Sequence, residues 1–173
     1  VSESEATVNV QVEMACYTNQ KTLKTELVIT DAAGNEVARQ TEDLVFNRKM
    51  RTCEYPLKEV KLTNPKLWDC EHPHLYTAKV TIYHENGEVA DCVTERFGVR
   101  SLEFSPKFGM KLNGKKILLK GIANHHSLGA LGSAAYPRAI EKRIQMLKEF
   151  GVNHIRTSHN PYSEEFMDLC DEY

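Results

Sequence analysis

The sequence predicts an all-β, immunoglobulin-like β-sandwich over residues 1–104, followed over 105–173 by the first β-α-β-α elements of a parallel sheet. Three observations carry this. Over residues 6–14 the apolar Ala6, Val8, Val10, Val12 and Met14 alternate with polar neighbours, a period of two that suits a half-buried strand. About seven short β-rich runs fall within roughly the first 100 residues with no helical stretch between them, the pattern of a sandwich. After Ser101 the pattern changes, and Ile140, Ile144, Leu147 and Phe150 recur at helical spacing.

The elements follow in order. Residues 27–30 form a second β-rich run, ended by Asp31-Ala32-Ala33-Gly34-Asn35, where Gly and Asn supply a turn before Val37. Short strands are expected around 50–55 and 60–62. Tyr76, Ala78, Val80 and Ile82 alternate with Thr77, Lys79 and Thr81, and Asn86-Gly87 then predicts a type I′ hairpin turn into 89–99. Trp68, Leu75, Tyr76, Val80 and Phe97 are expected in the sandwich core. Residues 108–119 read as one more hairpin around Asn113-Gly114. Its second arm, running on over 117–122, is so continuously apolar that it suits a strand buried on both faces. Pro137 opens a helix with Glu141, Lys142, Lys148 and Glu149 expected to face water, and Gly151 ends it. A short strand at 152–156 leads to a second helix starting at Pro161 or Ser163. Its first turn carries Glu164 and Glu165, and its inner stripe is Phe166, Leu169, Cys170 and Tyr173. Two parallel strands cannot bury themselves. Residues from about 108 onward are therefore expected to self-associate or to remain partly disordered as an isolated piece.

Composition narrows the classes of function. Of 173 residues, 41% are hydrophobic and 27% charged, with a formal net charge of −2, and mean hydropathy is −0.47. This is ordinary globular composition with no broad basic field for nucleic acid or anionic lipid. The densest lysine cluster, Lys111, Lys115, Lys116 and Lys120, merely flanks a turn. No apolar run approaches a membrane span, and no signal-peptide pattern follows Val1. Starting without Met and stopping at Asp171-Glu172-Tyr173 within a helical pattern, the sequence reads as a piece of a longer chain, either cytoplasmic or with its N-terminus removed. Cys16, Cys53, Cys70, Cys92 and Cys170 are widely spaced and lack a CxxC pair, which favours buried reduced thiols over a zinc site or a dense disulfide framework, with one disulfide among the first four left open.

In parallel α/β proteins, reacting groups gather beyond the C-terminal ends of the strands. Here 117–122 is followed by Asn124-His125-His126, and 152–156 by Thr157-Ser158-His159-Asn160. Two adjacent strands thus deliver His125, His126, Arg156, His159 and Asn160 to one rim, where such groups hydrogen-bond neutral hydroxyls or support a carboxylate. Other readings stand beside this one. A lone histidine after a strand commonly orders a loop, Arg156 can be a structural ion-pair partner, and Asn160-Pro161 can simply start a helix. His125, His126 and His159 can be read as three zinc ligands, although adjacent residues usually point opposite ways. Ser158 and His159, as sequence neighbours, seldom meet as nucleophile and base.

The run Asn153-His154-Ile155-Arg156-Thr157-Ser158-His159-Asn160-Pro161, with Phe166-Met167 and Asp171 beyond, resembles the signature of glycoside hydrolase family 2, the β-galactosidase, β-glucuronidase and β-mannosidase group. Asn64-Pro65-Lys66-Leu67-Trp68, Pro73-His74-Leu75-Tyr76, Arg96-Phe97-Gly98-Val99-Arg100, Leu112-Asn113-Gly114-Lys115 and Lys120-Gly121-Ile122 support it in family order. The resemblance covers residue 60 to the end; the strands before it fit by position and pattern only. The string from His126 to Gly132 is similar to the bacterial β-galactosidase-like branch. Two departures are Asn160, where the signature commonly has Tyr, and Ser127, where many relatives have Asp. The signature closes with a Gly that would follow Tyr173.

The resemblance implies a parent with a jelly-roll sugar-binding domain, an immunoglobulin-like sandwich and a TIM (β/α)8 barrel that hydrolyses terminal β-glycosides, β-galactosides first, with retention. That chemistry needs two carboxylates about 5 Å apart. In the family both come from later barrel strands, so this chain would supply no catalytic carboxylate and would be inactive alone. By the same resemblance His125 and His159 are donors to sugar hydroxyls, Arg156 organises the pocket carboxylates, and Asn160 joins them as a substrate-binding residue. No cofactor is expected on this chain, while the parent is expected to use a divalent or monovalent cation near its active site. The partners implied are a carbohydrate substrate, the N-terminal sugar-binding domain and the rest of the barrel, with no nucleic acid and no membrane, in a bacterial cytoplasm or periplasm. The alternatives are a non-catalytic immunoglobulin-like packing or binding module, or a parent of β-glucuronidase or β-mannosidase specificity.

Overall fold

Strands β1 (Glu5–Val8) and β2 (Gln11–Ala15) share the predicted alternation, but the chain breaks step at Asn9-Val10 and each strand takes its own partner. The computed structural model describes residues 1–15, 22–45 and 52–173. β1 pairs antiparallel with β6 (Val60–Thr63), and β2 with β5 (Thr52–Pro56). The start of the run expected at 50–55, and Cys16, lie outside the described residues. A four-stranded antiparallel sheet has the order β4-β3-β7-β8, with β3 at Thr22–Thr30, β4 at Glu36–Val45, β7 at Leu75–Tyr83 and β8 at Val89–Gly98. Leu23, Thr25, Leu27 and Ile29 of β3 are all buried, as strand periodicity requires. One core joins Ala6, Leu57, Val60 and Leu62 to Leu23, Leu27, Ile29, Leu44, Tyr76, Ala78 and Ile82, so the ladders and the sheet form a sandwich.

Two turns show how local chemistry sets register. At 31–35, Asp31 Oδ1 accepts from the amides of Ala33 and Asn35, both at 2.9 Å, and Gly34 takes φ +82°. The β7–β8 connection differs from the type I′ expectation. Only Gly87 has positive φ (+85°), and His84 N donates to Glu88 O at 2.8 Å across three residues. The register shift after Ile82 absorbs the extra residue, so the hairpin closes with a bulge instead of a two-residue turn.

The chain forms two compact units, residues 1–67 with 75–99, and residues 68–74 with 100–173. The boundary read at 104/105 falls within β9 (Leu102–Ser105), which pairs with β10 (Gly109–Leu112) in a meander completed by β11 (Lys115–Ile117). Trp68, expected in the sandwich core, belongs to the second unit. Its indole N–H donates to Asp171 O at 2.7 Å, and the Arg100 guanidinium lies 4.7 Å over its ring. Of the other expected core residues, Tyr76 is buried, Val80 and Phe97 pack partly buried against the core, and Leu75 is half-buried outside it.

The β10–β11 turn is type I′ in form, with Asn113 at φ +51° and Gly114 at φ +74°. The single strand expected at 117–122 is two: β11 stops at Ile117 and β12 spans Gly121–Asn124. Leu118 and Leu119 between them are exposed, so their apolarity does not mark a strand buried on both faces in this chain. Asn153 bridges the break. Its Oδ1 accepts from Lys120 N at 2.8 Å and its Nδ2 donates to Leu118 O at 3.0 Å. β12 runs parallel to β13 (His154–Thr157), and helices α1 (Pro137–Glu149) and α2 (Glu164–Glu172) cover one face through Ile140, Ile144 and Phe166 packed on Ile155. α1 ends in a Schellman motif: Gly151 at φ +78° donates to Lys148 O, and Val152 to Leu147 O. Phe150, expected in the buried stripe, is 82% exposed at the C-cap of α1. Lys148 and Glu141 do not simply face water. Lys148 Nζ donates to Cys70 O, and Glu141 accepts from Arg138 and Tyr173. No helix among the described residues is long and apolar enough to cross a membrane.

Candidate functional site

The C-terminal ends of β12 and β13 lie side by side, with Asn124 opposite Thr157 in register. Ile122 and Asn124 share the helix-facing side with Ile155, so alternation places Ala123 and Arg156, also register partners, on the opposite face. Beyond the strand ends, His125 and His159 meet edge to face, with ring centroids 5.3 Å apart at 71°. Both rings, Arg156 and Asn160 are exposed, and Arg156 forms no ion pair among the described residues. Of the residues expected at the rim, the structure brings the His125 and His159 rings together, while Arg156 lies next to the last residue of β13. Such a set offers hydrogen-bond donors and acceptors to an uncharged polyol.

His126 turns away from this pair. Its ring stacks on Tyr162, centroids 4.3 Å apart, and its Nε2 is buried without a partner among the described residues. The three histidines therefore do not converge, and among the described residues no group of three or more His, Cys, Asp or Glu is placed to hold a metal. Ser158 is buried and its Oγ makes no hydrogen bond among the described residues, so it forms no dyad with either histidine.

Beneath the rim lies a frame of polar side chains outside the sequence motifs. Asn124 is buried at the end of β12, and its Oδ1 accepts from Arg143 Nη1 at 2.9 Å. Arg143 also donates to His125 O at 3.3 Å and Ser127 O at 2.5 Å. Tyr162 Oη accepts from Asn124 Nδ2 at 3.2 Å and donates to Asn124 O, which also takes the Ser158 amide at 2.9 Å. One signal was available: Arg143 interrupts the stripe Ile140, Ile144, Leu147, and a charge on an apolar face must find partners. Glu164 and Glu165, by contrast, are exposed in the first turn of α2, with Ser163 as N-cap. Neither strand end brings a carboxylate to the rim.

Residues 1–100 match the family described as Glycosyl hydrolases family 2, and residues 107–173 match its TIM barrel domain. The chain thus combines the family's sandwich with the start of a TIM-barrel domain. It belongs to glycosyl hydrolase family 2. Among its relatives, the β-galactosidase BoGH2A of Bacteroides ovatus is 37% identical over 171 residues, covering 99% of this chain and 18% of that protein. A β-glucuronidase of Bacteroides fragilis is 29% identical over all of this chain and 24% of its own length. Among solved structures, a glycosyl hydrolase family 2 member from Bacteroides cellulosilyticus superposes with TM-score 0.93 at 32% identity, covering 98% of this chain and 22% of that one. The chain therefore spans between 18% and 24% of the length of these relatives.

Proposed function

We propose that this chain is the sandwich and barrel-opening segment of a retaining glycoside hydrolase acting on terminal β-glycosides, β-galactosides first. The observation that carries the reading is the His125–His159 pair at the ends of two parallel strands in a family 2 chain. In this reading both imidazoles and Asn160 hydrogen-bond sugar hydroxyls, and Arg156, on the face away from the helices, orients carboxylates contributed by other barrel strands. Two carboxylates about 5 Å apart would protonate the leaving group and form the glycosyl intermediate. Neither arises from the ends of β12 or β13, so the 173-residue chain alone is proposed to be inactive. The sandwich is proposed to be of immunoglobulin type, which the sheet order β4-β3-β7-β8 opposite two short ladders supports.

The test is a panel of nitrophenyl β-galactoside, β-glucuronide and β-mannoside given to the full-length gene product, with the anomer released followed by NMR. Fast release of the β-anomer from the galactoside supports the reading. Preference for the glucuronide would shift the specificity, and release of the α-anomer would overturn the mechanism. No turnover by the full-length protein on any substrate would favour the second reading, a non-catalytic packing module.

A further inference from the structure

We infer that Arg143 is a positioning residue for the His125–His159 pair, acting through the loop that follows β12. Its meaning for substrate binding rests on the reading proposed above; its geometry does not. Arg143 lies on the apolar stripe of α1 between Ile140 and Ile144, both buried. A guanidinium there is costly unless its donors are used. Three bonds, of 2.9, 3.3 and 2.5 Å, go to residues 124, 125 and 127, the last residue of β12 and two residues of the loop after it.

The planar fork of Arg fixes several acceptors in one geometry, which the single ammonium of Lys cannot do. One acceptor is the carbonyl of His125 itself, so the bond sets where that imidazole starts from. A second, Asn124, joins the same frame to the other loop, because Asn124 O takes the amide of Ser158, the residue before His159. The two rings that meet edge to face are thereby referred to one side chain on the helix behind them. Among the described residues Arg143 bonds the carbonyl of His125 and the side chain of Asn124 and not either imidazole ring, so the influence runs through backbone and through Asn124.

The experiment uses the 173-residue chain with labelled histidine, and reads the through-space NMR cross-peak between the His125 and His159 rings. In Arg143→Met the cross-peak is expected to vanish while the amides of 121–124 stay protected; in Lys142→Ala, an exposed neighbour, it is expected to persist. An undiminished cross-peak in a folded Arg143→Met variant overturns the inference. Should Arg143→Met not fold, Arg143→Lys decides: a weakened cross-peak in a folded chain supports positioning, and an unchanged one assigns Arg143 a purely structural role. In the full-length protein Arg143→Lys is expected to raise KM for a β-galactoside about tenfold with a smaller change in kcat, the loss of one charge-assisted hydrogen bond. A fall in kcat alone would overturn the ground-state positioning role. If that protein hydrolyses no β-glycoside, the proposed function fails while the cross-peak still decides the role of Arg143.

Discussion

Gly121 and His154 are register partners so close that a Cβ on residue 121 would stand 2.8 Å from His154 Cδ2 and 3.2 Å from its carbonyl oxygen. The first contact involves a side chain that can turn; the second involves backbone that cannot. Gly121 is therefore required by the spacing of β12 and β13, not by an unusual φ.

Gly121→Ala is expected to destabilise the second unit by about 1–3 kcal/mol, the usual cost of overpacking. Denaturant unfolding measures it. Adding His154→Ala should recover only part of the loss, since the carbonyl contact remains; complete recovery would mean that the ring alone imposes the glycine.

Asn153→Ala should leave Lys120 N and Leu118 O without their side-chain partners. A loss of about 1–3 kcal/mol is expected if water cannot replace both bonds, and less where Leu118 O is wetted. Amide exchange at Lys120 checks the assignment, and unchanged protection there would show that the backbone bond from Asn153 N to Lys120 O suffices.

The alternation at 6–14, the Asn113-Gly114 turn, the Pro137 start and the Gly151 stop were legible because each depends on a few neighbouring residues. The halves of β1–β2 and β11–β12 were not, because what divides them is the choice of partner strand and the side chain of Asn153, remote in sequence. His125 and His159 were legible as strand-end residues. Arg143 was marked only by its place on an apolar stripe and Tyr162 not at all, since their partners are loop carbonyls and a buried amide that no periodicity marks. Trp68 misled for a related reason: a large aromatic between two sandwich strands reads as sandwich core until its indole is seen on Asp171.

Burial pushes the Cys170 thiol up to about 11, with Asp171 adding to the effect, against an ordinary 9.0. The folded state holds this proton more tightly than the unfolded one. Its contribution is thus fully present below pH 9.0 and is lost as pH rises through about 11. Cys170→Ala should flatten the fall in melting temperature across that window relative to the parent chain. Peptide-mapped alkylation at pH 8 should label exposed Cys92 well before Cys170. Equal rates would contradict the burial of Cys170.

Trp68→Phe keeps a ring beneath Arg100 but removes the 2.7 Å donor to Asp171 O. A loss of about 0.5–1.5 kcal/mol is expected, the net value of a typical hydrogen bond. Faster exchange confined to the last turn of α2 would accompany it, and uniform loss over 75–99 would instead return Trp68 to the sandwich.

The segment 68–74 belongs to the second unit although strands of the first flank it in sequence. Asn113 Nδ2 donates to Trp68 O at 3.0 Å and Lys148 Nζ donates to Cys70 O. A chimaera of two family members cut once, near residue 100, would therefore carry a foreign segment at this seat. The functional exchange is a double crossover that moves 68–74 together with the barrel. Across relatives, substitutions at 68 and 70 should covary with those at 100, 113, 148 and 171 more strongly than with their own sandwich neighbours, a trace of inheritance that follows contact instead of chain order.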